Sequence, residues 1–280
     1  MTVDHSVRLR DCPACVRDNR QEPLQLFSQD QWQLKSCANC KFVYLENAPA
    51  YEELREHLAW EKSFDRERDR RQQAEPILQW IDTVATRTRK KLFRRKKLLK
   101  LVDDHFIGGN VLDVGCGAGK HLAMLPRKYI PHGIEASVAL AVAASHITAP
   151  RGGFIASHNA LAALRQLQRD RFSGIIMHSY LEHEVNPKEV LSAALRVLRT
   201  EGAIIIKVPN YASLNRRIRG RKWCGFRFPD HVNYFTPQSL RQLLHDTGYR
   251  IIRMSFQDRL PTSDNMWAVA AKARSGAAAC

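Results

Sequence analysis

In the stretch VLDVGCGAGK, Asp113 stands two places before the first of three glycines, Gly115, Gly117 and Gly119, and Glu135 ends the next apolar run 22 residues after Asp113. Glycines let backbone close on a ligand with no side chain in the way. A carboxylate at each of two strand ends can accept hydrogen bonds, Asp113 from a charged amine or from the loop itself and Glu135 from both hydroxyls of a ribose. A dinucleotide loop spaces its glycines G-x-G-x-x-G, so that the third lets the helix pack close behind a pyrophosphate. Here the spacing is two throughout and position 120 is lysine. Acid, glycines and second acid suit adenosine with a cationic amino-acid tail better than they suit a pyrophosphate.

Four cysteines form a second set. Cys12 and Cys15 make C-P-A-C, Cys37 and Cys40 make C-A-N-C, and 21 residues separate the pairs. Each two-residue gap lets the chain turn back so that both sulfurs reach one ion, and four thiolates make a tetrahedral Zn²⁺ site. With all four positions filled by protein the ion is structural, and it supplies folding energy that so small a segment lacks. The alternative, a pair of redox motifs, requires helix starts in βαβ units. The segment LQLFSQDQWQLKSC, with Leu24, Leu26, Trp32 and Leu34, is expected to supply the two short strands of a ribbon. Cys116, Cys224 and Cys280 fall outside the set and read as small buried or incidental residues.

The elements that must position these groups follow from periodicity. Short apolar runs at 110–114, 131–135, 153–157, 173–178 and 202–208 alternate with helical segments at 118–128, 137–146, 160–169 and 186–199. The last of these begins with Asn186 and Pro187 and closes before Gly202. A helix at 237–247 leads into strands at about 249–256 and 265–272, joined around Pro261 to Asp264 and therefore antiparallel. The expected fold is α/β: a Rossmann-like, seven-stranded, mostly parallel sheet with helices on both faces.

Ahead of it, residues 49–107 read as a charged helical linker or cap, broken at Pro76. Its end is basic: from Arg87 to Lys100 the chain carries nine lysines and arginines and no acid, within a net charge of +16 for the 280 residues. Such a run attracts phosphate, whether of RNA, anionic lipid or a nucleotide-bearing substrate, or else forms a solvated helix face. The expected units are 1–48, the ribbon; 49–107, the linker; and 108–275, the catalytic domain, with 211–237 as its substrate loop. The N-terminus has no apolar signal core and no stretch approaches the roughly 18 apolar residues of a membrane span. Seven cysteines, an odd number, argue for a reducing compartment, and the expectation is a soluble cytoplasmic protein.

VLDVGCGAG followed by the strand end GIE resembles the class I S-adenosylmethionine-dependent methyltransferases, whose first motif reads hydrophobic-hydrophobic-acid-hydrophobic-G-x-G-x-G. The resemblance spans about 108–273. It implies an S-adenosylmethionine site in which Asp113, Gly115, Cys116, Gly117 and Gly119 line the methionine side and Glu135 holds the ribose. IIMHSYLEHEVNP resembles the fourth motif of the subgroup that includes ubiquinone-biosynthesis O-methyltransferases. By that likeness Met177, His178 and Ser179 pass the methionyl end, with Leu181, Glu182 and His183 on the substrate side. Two departures stand out: the acid that contacts adenine in many relatives is replaced by Ser157, His158 and Asn159, and the usual F-D opening of the fourth strand is Phe172-Ser173.

The acceptor is to be read from 211–237, which carries Trp223, Phe226, Phe228, Tyr234 and several arginines. Trp223-Cys224-Gly225 and Pro229-Asp230-His231 match W-x-G and P-x-H segments of zinc-ribbon relatives. Methyl transfer to a hydroxyl is helped by a base, for which His231 and His183 are the candidates, with Glu182 and Asp230 orienting or replacing them. Tyr211, Arg216, Arg217 and Arg221 can grip a phosphate or carboxylate. A ribbon ahead of this core resembles proteins of bacterial glycan and secondary-metabolite clusters, including deoxysugar methyltransferases. Sugar C-methyltransferases carry a further C-terminal domain that these 280 residues lack, so the expectation is O-methylation of a sugar, glycan precursor or other small polar acceptor. An RNA methyltransferase using the ribbon and basic helix, and a non-catalytic scaffold, are the alternatives.

Overall fold

The computed structural model describes residues 7–49 and 95–273. Most of the linker expected at 49–107, including the basic run as far as Arg94, lies outside the described residues.

The chain enters the larger unit on α1 (Arg95–His105). Leu98, Leu101 and Val102 of this helix, with Phe106 just beyond it, are buried against Val111, Ile176, Ala203, Ile205 and Trp267. Leu98 is thus core. Lys97, from the end of the basic run, is tied to Asp258 at 2.9 Å.

The sheet takes its strands from runs with little polarity on either face, as a sheet covered on both sides requires. They are β5 (Gly109–Val114), β6 (Tyr129–Ile134), β7 (Ile155–Ala156), β8 (Phe172–His178), β9 (Leu198–Pro209), β11 (Tyr249–Arg253) and β12 (Asn265–Lys272). Their order is β11-β12-β9-β8-β5-β6-β7. β12 runs antiparallel to both neighbours, and the other pairings are parallel. The seven-stranded sheet with one reversed strand is therefore as the sequence implies. From β5 the chain moves outward through β6 and β7, then returns to place β8 on the other side of β5. Open sheets bind ligands in the crevice at such a reversal, at the carboxyl ends of the strands.

The intervening helices are α2 (Lys120–Ala123), α3 (Val138–Thr148), α4 (Ala160–Gln166), α5 (Pro187–Val197), α6 (Leu214–Arg219) and α7 (Pro237–Asp246). Several begin on side chains that cap free backbone N–H groups: Ser137 for α3, Asn159 for α4 and Thr236, with Ser239 reciprocating, for α7.

Four expectations are corrected. The helix expected at 118–128 is one turn, because Gly119 is left-handed (φ +78°) and Pro126 follows closely. Asn186 caps α5 by position alone and makes no side-chain cap bond. Gly202 does not close α5; it lies in β9, where the register with β8 jumps from Phe172–Leu198 to Gly174–Ala203. Of the two ribbon strands expected within 24–37, one is there, β2 (Leu34–Ser36); its partner β3 (Val43–Leu45) follows the second cysteine pair, and Leu24 and Leu26 are exposed.

The ribbon is flanked by a two-stranded pair, β1 (Val7–Leu9) with β4 (Asn47–Pro49). Its hairpin gains a third strand from far downstream: β10 (Asn233–Tyr234) pairs antiparallel with β3, Asn233 opposite Tyr44. Leu34 and Val43 of the ribbon share a core with Tyr211, Trp223, Phe226 and Tyr234. Residues 211–237 are therefore an ordered wall with its own aromatic cluster, Trp223 and Phe226 meeting edge to face at 5.3 Å.

Candidate active site

The first motif closes on itself beneath the end of β5. Gly115, Gly117 and Gly119 all have positive φ (+73°, +53° and +78°), the conformation that excludes most side chains. A Cβ on Gly115 would lie 2.7 Å from the ring of Tyr180, whereas one on Gly117 would meet nothing within 4 Å. The loop thus touches the turn after β8 on one side and opens on the other. Glu135 binds the loop to the next element: Gly117 N–H donates to its Oε2 (2.8 Å) and Ser137 N–H to its Oε1 (2.9 Å). Each oxygen keeps a lone pair for a ribose hydroxyl.

Asp113 is almost wholly buried and neither carboxylate oxygen has a hydrogen-bond partner. Burial raises its pKa, and His121, 3.6 Å away, opposes that rise. An orphaned carboxylate under a glycine loop with open space at Gly117 fits a ligand that brings a positive charge, as S-adenosylmethionine does. His121 was not evident as a site residue from sequence. Its ring lies 4.4 Å from that of His178, which also meets Trp267. Ser179 is left-handed (φ +57°) at the strand end and receives the Lys207 ammonium on its hydroxyl at 2.6 Å. Such strain off glycine is found where structure is held for a purpose. The Cys116 thiol is buried beside Gly133, where a Cβ would lie 2.6 Å from its sulfur, and donates to the Gly117 carbonyl at 3.5 Å. The side chain of Asn159 is committed to capping α4, while Ser157 and His158 are exposed.

The opposite wall brings together Glu182, His183 and His231. One oxygen or nitrogen from each lies within 4.8 Å of the other two. The rings stand edge to face at 4.7 Å. His183 Nδ1–H donates to the Asp230 carbonyl (2.9 Å) and His231 Nδ1–H to that of Gly225 (2.8 Å). Burial pushes the His183 pKa down to about 4, with Arg227 adding to the effect, and His231 falls well below its ordinary value for the same reasons and because His183 is beside it. Burial pushes Glu182 up to about 7, against the pull of Lys207 and Arg227. Glu182 therefore titrates nearest neutrality, and the two imidazoles are neutral there.

What holds this wall is a set of groups without a motif. Val232 and Asn233 N–H both donate to the Glu182 carbonyl (2.8 and 3.1 Å), and the Asn233 carboxamide donates to the carbonyls of Leu181 and Glu184. On its other side β10 joins the ribbon, where Leu45 N–H donates to Val232 O at 2.9 Å. Arg10 crosses the junction: its guanidinium donates to the carbonyls of Leu45, Val185 and Val232 and to Asn233 Oδ1. Burial lowers its pKa to about 10, so it stays charged. A lone arginine ahead of a cysteine pair gives no signal in sequence. Of the aromatic and basic residues expected to meet the acceptor, Trp223 is buried with its indole N–H on Asp264 (2.7 Å), and Arg216 stacks over Tyr211. Arg217 and Arg221 are exposed.

Cys12, Cys15, Cys37 and Cys40 converge, their sulfurs all within 4.8 Å of one another and two pairs at 3.5 Å. None is in a disulfide. Zn–S bonds of about 2.3 Å place tetrahedral sulfurs about 3.8 Å apart, so the four cysteines fit a zinc ribbon.

A sheet with this reversal, glycine loop and pair of acids defines a Rossmann-like S-adenosylmethionine-dependent methyltransferase. Residues 84–254, more than half of the chain, match the family described as a methyltransferase domain, and the chain belongs to that family. Among solved structures it is similar to an S-adenosylmethionine-dependent methyltransferase from Clostridium acetobutylicum ATCC 824 (12% identity, 70% of this chain and 99% of that one, TM-score 0.52). It is also similar to one from Archaeoglobus fulgidus (17%, 64% and 92%, TM-score 0.51) and to the [4+2]-cyclase SpnF (18%, 63% and 80%, TM-score 0.50). At these identities the likeness is of fold, and the cyclase illustrates that this fold hosts more than one reaction. No curated protein matches the sequence.

Proposed function

We propose that this methyltransferase methylates a hydroxyl of a sugar, glycan precursor or other small polar acceptor, with the acceptor bound between the glycine loop and the Glu182–His183–His231 wall. The observation that carries this reading is the wall itself: two neutral imidazoles and a buried carboxylate gathered at the end of β8, where Tyr180 touches the glycine loop. S-adenosylmethionine supplies an electrophilic methyl group; Asp113, the glycine loop, Glu135, His178 and Ser179 are the residues that would hold it. The protein's own work is to position the hydroxyl, exclude water and take its proton, on His231, His183 or Glu182. The ribbon cysteines would hold a structural Zn²⁺, with 1–48 and 211–237 bracing the acceptor side of a catalytic domain at 108–275.

No helix among the described residues is long and apolar enough to cross a membrane. A cytoplasmic setting, where the unpaired thiols stay reduced, is part of the proposal. The test is incubation with methyl-labelled S-adenosylmethionine and separate panels of nucleotide sugars, lipid-linked glycans and total RNA. Label in a sugar-bearing acceptor, lost in His231→Ala with cofactor binding intact, supports the reading. Label in RNA alone would replace it with the RNA reading. Absence of both label and calorimetric cofactor binding would favour a scaffold.

A further inference from the structure

We propose that Glu182, His183 and His231 form a second metal site, one that takes a divalent first-row transition-metal ion on the acceptor side of the cleft. Each imidazole turns Nδ1 to a backbone carbonyl, of Asp230 and of Gly225. A carbonyl only accepts, so Nδ1 carries the proton and Nε2 is left with a bare lone pair. This is the arrangement by which metal-ligating histidines are oriented, the second ring nitrogen donating to a carbonyl or carboxylate.

The third member is Glu182, nearly fully buried, whose Oε2 has no hydrogen-bond partner. The ligand atoms of the three residues lie within 4.8 Å of one another, and three acceptors gathered in so small a volume repel unless something positive lies among them. The flanking charges are Lys207, Arg227 and Asp230. The Lys207 ammonium is engaged on Ser179 Oγ, and Arg227 lies 3.8 Å from Asp230.

Two imidazole nitrogens and one carboxylate oxygen match Mn²⁺, Fe²⁺ or Zn²⁺ better than Mg²⁺ or Ca²⁺, which favour all-oxygen shells. Three protein ligands leave coordination positions open, unlike the closed four-cysteine set. The inference rests on the reading that this wall faces a hydroxyl acceptor. An ion there would hold that hydroxyl and lower its pKa, so that its proton leaves to solvent water and the imidazoles serve as ligands in place of bases.

The experiment titrates the full-length protein, its ribbon already loaded with zinc, with Mn²⁺, counting free ion by electron paramagnetic resonance. One Mn²⁺ per chain is expected, with affinity falling at least about tenfold in His231→Ala and in the isosteric Glu182→Gln. Calorimetric binding of S-adenosylmethionine checks that each variant is folded. Should either variant fail to fold, anomalous scattering from Mn²⁺-soaked crystals of the unaltered protein decides by showing a peak among the three residues or none. No binding of Mn²⁺, Fe²⁺ or Co²⁺, or binding that persists undiminished in both folded variants, overturns the site. Metal bound with no acceptor methylated would leave the site standing and sink the hydroxyl reading. Methylation by protein that binds no such metal would do the reverse.

Discussion

Between Val111 and Glu135 the groups proposed to hold the donor lie on two adjacent strands and the loop joining them, and their positions follow from backbone geometry: a parallel pairing, three left-handed glycines and one carboxylate holding two N–H groups. The wall proposed to face the acceptor is built in another way. Glu182 and His183 follow β8, His231 arrives on the segment before α7, and Arg10 and Leu45 come from the ribbon. No local rule positions them; β10 does, hydrogen-bonded on one side to the Glu182 turn and on the other to β3. One wall is local and the other is assembled across the chain, so the two should fail separately.

The largest separation should come from Cys37→Ser. Structural zinc supplies on the order of 10 kcal/mol of folding free energy, and losing it should free β3 and with it β10. The expected result is loss of hydrogen-exchange protection at Val232 and Asn233 while S-adenosylmethionine binding stays within a few-fold of the unaltered protein. Equal loss on both sides would show that the walls are one cooperative unit.

Arg10→Met probes the same junction without touching the four cysteines. Its removal leaves carbonyls of Leu45, Val185 and Val232 short of a donor in a buried place, a cost of about 3 kcal/mol. Arg10→Lys should recover little of it, since an ammonium cannot reproduce the fork. Thermal unfolding measures the cost, and cofactor affinity should again be spared.

How much of this was legible beforehand divides along the same line. The glycine loop, the two acids, the four cysteines and the reversed strand are written in contiguous residues, and the fold shows the reversed strand and brings the four cysteines together. Trp223 reads in the sequence as a substrate-loop residue because it is large and sits in a long connection; it is a buried pin on Asp264. Arg10 could not have been found, because what it binds is backbone carbonyl, which has no residue type to read. Glu182, His183 and His231 were each nameable, but their convergence depends on β10, a two-residue strand too short to announce itself.

The donor side should show its own dependence on acid. His132, on β6, is buried, with Nε2 against Asn110 Oδ1 and Nδ1 accepting from Phe154 N–H. Burial, with Arg171 contributing, pushes its pKa from 6.5 down to about 4. The unfolded chain therefore binds a proton that the folded chain refuses, so stability is full above about 6.5 and falls as the pH drops toward 4. The loss is about 3 kcal/mol at most, levelling off below the folded value. Denaturant titrations across that window should show the slope, and His132→Gln should flatten it. A slope unchanged in the variant would assign the acid sensitivity elsewhere.

The smallest effect compares left-handed positions on the two sides. In the donor loop all three are glycine; in the ribbon the residue after each cysteine pair is left-handed too, but these are Val16 (φ +63°) and Lys41 (φ +59°). The two knuckles close alike. The N–H of the left-handed residue donates to the carbonyl of the first cysteine, and that cysteine's N–H donates to the carbonyl one residue further on, in Cys12–Arg17 as in Cys37–Phe42. An L-residue in this conformation costs about 1–2 kcal/mol, more for a β-branched one. Val16 is 69% exposed, so removing its side chain loses little packing. Val16→Gly should then hold zinc more tightly against a competing chelator, by about 0.5–1 kcal/mol once the greater freedom of glycine in the unfolded chain is subtracted. Lys41→Gly should gain less, since lysine is not β-branched. A Val16→Gly ribbon that released zinc sooner would mean that the left-handed turn is held by side-chain contacts and not by the metal.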